Sequence, residues 1–222
     1  MLSIGDLFKR DVELGEMRKE AEDLAASNQC NISHIHLFIE EDIKRGWRPP
    51  EYSLDDLVFM KKGTLGNDLG LHLMRMSENQ EYVHSIPGMI RFPIRGVISD
   101  KEYVKTRVRH THDILHVLTG YNTSAFGETA LQGFYAGQSM TTLSAILLFK
   151  VIATHVMNAS IESRQHMSAM IDGIAKGIEA KSYCGLRHLE EELVQETDSV
   201  RRKLGIKECT SPIWGTGGVS FL

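Results

Sequence analysis

Cysteine is scarce in this chain, and what there is lies scattered: Cys30, Cys184 and Cys209 are odd in number and far apart. That excludes a disulfide framework and a Cys-rich zinc site, and it fits a reducing compartment. No excess of one charge is present either. The formal net charge of −4 gives no whole-molecule reason to expect nucleic acid as a partner. Long apolar runs are missing as well. The most apolar stretch, Leu143 to Met157, contains Lys150 and His155. It falls short of the roughly 20 residues that cross a bilayer, so it reads as a buried helix. The opening residues hold acids early, without a signal peptide's apolar core or the arginines of a transit peptide. The expected location is cytoplasmic, with peripheral contact to a membrane left open. No Walker A, GxGxxG, GxSxG or DDxxD pattern occurs. Nucleotide binding, serine hydrolysis and class I prenyl-diphosphate chemistry therefore have no support.

What is present is a helical pattern in a chain of 222 residues, 42% hydrophobic and 24% charged. The spacing predicts helices over residues 6–26, from Asn31 or Ser33 to Gly46, a short one at 53–57, and another from Asn67 to Met76. Residues 84–100, with Pro87, Gly88, Pro93 and Gly96, read as a loop. Further helices are expected at roughly 101–119, 125–155, 160–180 and 183–204. The reading is an all-α, compact multi-helix domain spanning 1–222, with N-terminal helices in 1–46 and a flexible Gly-rich tail at 207–222.

The sharpest signal is His112-Asp113-Ile114-Leu115-His116, followed eleven residues later by Glu128. On a helix, residues four apart share a face, so His112 and His116 project side by side, and Asp113 leans toward the same patch. Gly120 can end that helix, and the short connection to Ser124 lets Glu128 fold back. Two imidazoles with one or two carboxylates make a divalent-metal site, zinc first, with magnesium or iron as alternatives. The same pair, taken alone, is as often surface or core histidine. HDxxH also differs from the HExxH protease pattern by a methylene, which leaves no evident base and weakens a metal-dependent hydrolase. An HD-type phosphohydrolase would need His72 and Asp172 as extra ligands, and neither position is compelling.

With these residues in hand, the chain resembles the coenzyme Q biosynthesis family whose hallmark is HDxxH-x11-E, the family of the fourth coenzyme-Q biosynthesis protein. The Gly127-Glu128 pair fits, as do Gly63-Thr64-Leu65-Gly66 before a helix with Leu73 and Met76, and Leu204-Gly205-Ile206 after a charged helix. The likeness runs roughly from Trp47 to Ile206. One departure is Tyr121-Asn122-Thr123-Ser124, where the family has a Pro-Thr-Asn element. The resemblance implies an all-helical fold and a metal, often taken as zinc, on His112, Asp113, His116 and Glu128. It implies a role in making ubiquinone or a related prenylated quinone, through assembly of biosynthetic enzymes at a membrane or oxidative replacement of the ring carboxylate.

A prenylated precursor needs an apolar groove, for which Leu115, Phe126, Leu131 and Phe134 are candidate walls, ordinary core being the alternative for each. In the basic run before the motif, Arg109 and Lys105 are the candidates for an anionic head group, Arg109 lying three before His112. As an enzyme the protein would be a metal-dependent ring decarboxylase or hydroxylase of prenylated hydroxybenzoates. As a scaffold it would hold the lipid for other quinone-biosynthesis enzymes, and a homodimer is an open expectation.

Overall fold

The computed structural model describes residues 52–78, 111–138, 142–182 and 187–216, with Asp42, residues 45–47 and Pro50 ahead of them. The expected helix at 6–26 and the loop at 84–100 lie outside the described residues, as does the expected helix from Asn31 or Ser33 to Gly46 apart from Asp42, Arg45 and Gly46. Among the described residues there are seven α-helices and no strand. They are α1 (Leu54–Val58), α2 (Leu65–Glu78), α3 (His112–Thr119), α4 (Ala125–Gly137), α5 (Thr142–Met157), α6 (Ile161–Glu179) and α7 (Thr197–Leu204). A 3₁₀ turn, Leu189–Glu192, precedes α7. By internal contacts the described residues divide into two units, one built from those up to 120 together with 187–210, the other from 121–138, 142–182 and 211–216.

In the unit that holds α1, α2, α3 and α7, the starts of α1 and α2 have identifiable partners. Ser53 and Asp56 form a reciprocal capping box on α1: the Asp56 N–H donates to Ser53 Oγ (3.1 Å) and the Ser53 N–H to Asp56 Oδ2 (2.8 Å). The hydrogen bonds from Ser53 hold the Asp56 carboxyl below its ordinary pKa. The first N–H groups of α2 are taken up from far along the chain, Leu65 by the Gln195 carbonyl and Gly66 by that of Leu193, both at 2.8 Å. A Cβ on Gly66 would stand 3.0 Å from the Leu193 carbonyl oxygen and push aside the Met60 side chain, whose Sδ would be 2.1 Å away. These long-range bonds explain why 183–204 is not one helix. Its Leu pattern and acids suit a helix, but the carbonyls of Leu193 and Gln195 serve α2, and Glu196 bridges to Thr64 in extended conformation. Leu65, Leu69 and Leu73 of α2 pack with Ile114, Leu115 and Leu118 of α3 as the core, with Leu193 and Val200 also buried. Asp42 is buried and bonds His188 Nε2 at 2.6 Å, and the Trp47 ring stacks on His188 at 3.8 Å.

In the other unit α4 and α6 cross at backbone distance. Ala130, Gly133, Phe134 and Gly137 meet Met170, Gly173 and Gly177, and a Cβ on Gly173 would lie 1.9 Å from the Ala130 carbonyl oxygen. Such closeness permits Cα–H···O contacts that larger residues would prevent. Gln138 Nε2 donates to the Gly177 carbonyl (2.5 Å) beyond the end of α4. The helix expected over 125–155 is thus two, with Gln138 capping α4 and α5 starting at Thr142. Helix α5 also departs from its expected burial: Phe149, Ile152, Val156 and Met157 are exposed. Among the described residues no helix is long and apolar enough to cross a membrane. Residues 211–216 run beside the start of α4. Tyr121 bridges to Gly215, and Asn122 donates its N–H to the Trp214 carbonyl (2.9 Å) and its side-chain amide to that of Ile213 (3.0 Å). Fully buried Tyr121 donates to Asp172 Oδ2 (3.0 Å), which also accepts from Lys176 (2.8 Å) and from the Trp214 indole (3.3 Å).

Candidate metal centre

Helix α3 begins at His112 itself and ends at Gly120, whose φ of 70° suits a left-handed cap and whose N–H donates to the His116 carbonyl at 2.9 Å. Four-residue spacing brings the two imidazoles together as expected. His116 Nε2 and His112 Nε2 are 3.2 Å apart, with the rings nearly perpendicular (87°). Without a cation, that distance is a hydrogen bond in which one ring donates to the other. It is also the separation of two nitrogens on one tetrahedral zinc, about 3.3 Å for bonds of about 2.05 Å. His116 is 1% exposed and His112 half-buried.

Glu128 sits in the first turn of α4, where a carboxylate complements the helix dipole. Ser124 caps this helix, accepting from the Gly127 N–H (3.3 Å) on its side chain and from the Glu128 N–H (2.9 Å) on its carbonyl. Gly127 is obligatory for a reason of space: a Cβ there would be 1.9 Å from the Asn122 carbonyl oxygen. The Asn122 side chain accepts from the Ser124 N–H and hydroxyl, at 3.1 and 2.6 Å, and so shapes the turn into α4. Among the described residues, His112, His116 and Glu128 each offer a ligand atom, and these atoms all lie within 4.8 Å of one another. Two neutral nitrogen bases and an anionic oxygen, one of them fully buried, fit a divalent cation of the zinc type.

The other expected site residues fall elsewhere. Asp113 is half-buried on the first turn of α3, and its carboxylate is not among the three converging groups. Lys105 and Arg109 lie outside the described residues. Leu115, Leu131 and Phe134 are 0% exposed, within the cores of their units, and Phe126 is half-buried with its ring 4.5 Å from that of His166. Burial holds the His166 pKa below its ordinary value, with Glu162 opposing the shift. Thr129 donates its hydroxyl to the Ala125 carbonyl (2.7 Å), so His166 Nδ1 is assigned as the donor to Thr129 Oγ1 (2.9 Å). His72, given little weight in the sequence, stacks on His116 with centroids 5.7 Å apart and a tilt of 24°. Its α2 position, on the face of Leu65, Leu69 and Leu73, was the available signal.

Fold and donor set together define an all-helical protein with a candidate His-His-Glu metal centre carried on consecutive helices. The sequence model of one family, Coenzyme Q (ubiquinone) biosynthesis protein Coq4, matches residues 51–210, well over half of the chain. The chain belongs to that family, and its role falls within ubiquinone biosynthesis. A crystal structure of a provisionally assigned ubiquinone biosynthesis protein from Nostoc punctiforme is similar in fold, with a TM-score of 0.59 and 23% identity over 87% of this chain and 83% of that one. No curated protein matches the chain.

Proposed function

We propose that the protein acts in ubiquinone biosynthesis by holding a divalent metal, zinc first, against the ring of a prenylated hydroxybenzoate precursor. The observation that carries this reading is the convergence of His112, His116 and Glu128 donors within 4.8 Å. Asp113 completes the ligand set in this reading, as the family resemblance implies. A bound cation would supply Lewis acidity toward a ring oxygen or carboxylate, the electron sink that loss of CO2 from an aromatic ring requires. His116 is buried, and Glu128 brings a carboxylate whose charge a bound cation would offset. Of the four candidate tail contacts, Phe126 is the accessible one, while Leu115, Leu131 and Phe134 would be reached only if their packing opened. Lys105 and Arg109 remain the proposed partners of an anionic head group. Peripheral membrane contact, other quinone-biosynthesis enzymes and a second copy of the chain are the proposed associations, within a single functional domain.

The test is metal content by mass spectrometry for wild type and His116→Ala, followed by turnover of a prenylated hydroxybenzoate. Near one metal per chain in wild type and little in the variant supports the centre. A folded wild type that stays empty when offered zinc, iron and magnesium sinks it. Metal and lipid binding without turnover would leave a scaffold that presents the lipid to partner enzymes.

A further inference from the structure

The last four carbonyls of α3, groups that a helix end normally leaves to water, can be accounted for one by one. His116 accepts from the Gly120 N–H at 2.9 Å and Thr119 from the Cys209 N–H at 2.8 Å. The two between them go to one side chain: Arg201 Nη2 donates to the Val117 carbonyl and Nε to that of Leu118, both at 2.9 Å. The same guanidinium donates through Nη1 to Asp198 Oδ1 (2.9 Å) and grips Glu208 with both terminal nitrogens at 3.0 Å. All five of its N–H groups are used. Its side chain is 14% exposed, whereas its partners Asp198 and Glu208 are 73% and 46% exposed. Glu208 also packs on the helix end, its Cγ 2.8 Å from where a Cβ on Gly120 would stand.

An isolated helix of 8 residues such as α3 does not hold its last turn by itself. His116 stands within that turn, and its 3.2 Å approach to His112 exists only while the backbone between them keeps helical geometry. We propose that Arg201 is a positioning residue of the metal centre, clamping the C-terminal turn of α3 so that the two Nε2 atoms hold metal-binding spacing before the cation arrives. The inference rests on the metal reading above. Lysine cannot do this, since a compact ammonium lacks the planar fork that spans two carbonyls on one edge and a carboxylate on the other. The neighbouring Arg202 is exposed and serves as the control.

The experiment measures zinc affinity of the full-length protein by competition with a chromophoric chelator, alongside amide exchange of residues 116–120 without metal. Arg201→Met and Arg201→Lys should each lose about 10- to 100-fold in affinity, with faster exchange at the helix end. Glu208→Gln should fall between, and Arg202→Met should match wild type. A folded Arg201→Met with wild-type affinity overturns the proposal and leaves Arg201 a plain helix cap. If that variant does not fold, equal affinity in Arg201→Lys and Glu208→Gln overturns it. A wild type that takes up no zinc is a different failure, of the metal reading itself, visible before any variant is compared.

Discussion

Replacing Gly127 by alanine is the sharpest perturbation of the turn that delivers Glu128. In an open helix the change would stabilise by about 1 kcal/mol through propensity. Here the new Cβ would be 1.9 Å from the Asn122 carbonyl oxygen and 2.5 Å from its side-chain oxygen, against a working limit of 3.0 Å. The turn must open by at least 1.1 Å, the shortfall to that limit. Overpacking of this kind costs about 1–3 kcal/mol. Asn122 cannot retreat freely, because its N–H is bonded to Trp214 and its side chain to Ser124 and Ile213. Losing two such bonds adds about 0.5–1.5 kcal/mol each. The net expectation is a loss of about 2–3 kcal/mol, or a thermal midpoint lower by roughly 5–10 °C. Zinc affinity should drop with it, since Glu128 begins at the displaced turn. Scanning calorimetry of metal-free protein reads the first effect and chelator competition the second. A midpoint equal to or above wild type would refute the steric reasoning.

Three further outcomes follow from the second unit. Gly173→Ala places a Cβ 1.9 Å from the Ala130 carbonyl between two rigid helices, so chemical denaturation should show a loss of about 3 kcal/mol or more. Asp172→Asn weakens an acceptor shared by Tyr121, Lys176 and Trp214 and should cost about 1–3 kcal/mol, read by urea unfolding followed through tryptophan emission. His166 has a folded pKa below its ordinary 6.5, so the unfolded chain binds the proton more readily. Stability should therefore be full above about pH 6.5 and decline as pH falls toward the folded value, and His166→Asn should flatten that slope in urea titrations at pH 8 and pH 5.5.

The parts of this molecule that were legible in the sequence are those decided within a few residues. The His112–His116 pairing follows from helical spacing alone, and Gly120 and Ser124 announce the turn between helices by their residue types. Helix α6, Ile161–Glu179, falls where a helix over roughly 160–180 was expected. What stayed hidden depends on partners distant in the chain. Nothing near Leu193 and Gln195 tells that their carbonyls will serve Leu65 and Gly66, so a leucine-spaced acidic run read as continuous helix. Gly133, Gly137, Gly173 and Gly177 stood in plain view at four-residue spacing, yet only the crossing reveals that one pair's absent side chains make room for the other's backbone. Arg201 and Arg202 are indistinguishable as neighbours in a charged helix, and tertiary position alone separates the clamp from the bystander.

The hold on α3 also orders events in time. The N–H donors for Val117, Leu118 and Thr119 come from residues 201 and 209, more than 80 positions downstream. At about 5–20 residues per second of translation, the two histidines leave the ribosome several seconds or more before the clamp has been made. A newborn chain thus carries its imidazole pair on a loose helix end while more than 80 further residues are added. The final shape of that pair waits on residues made well after it, and truncation a little before Glu208 would strand it unfinished.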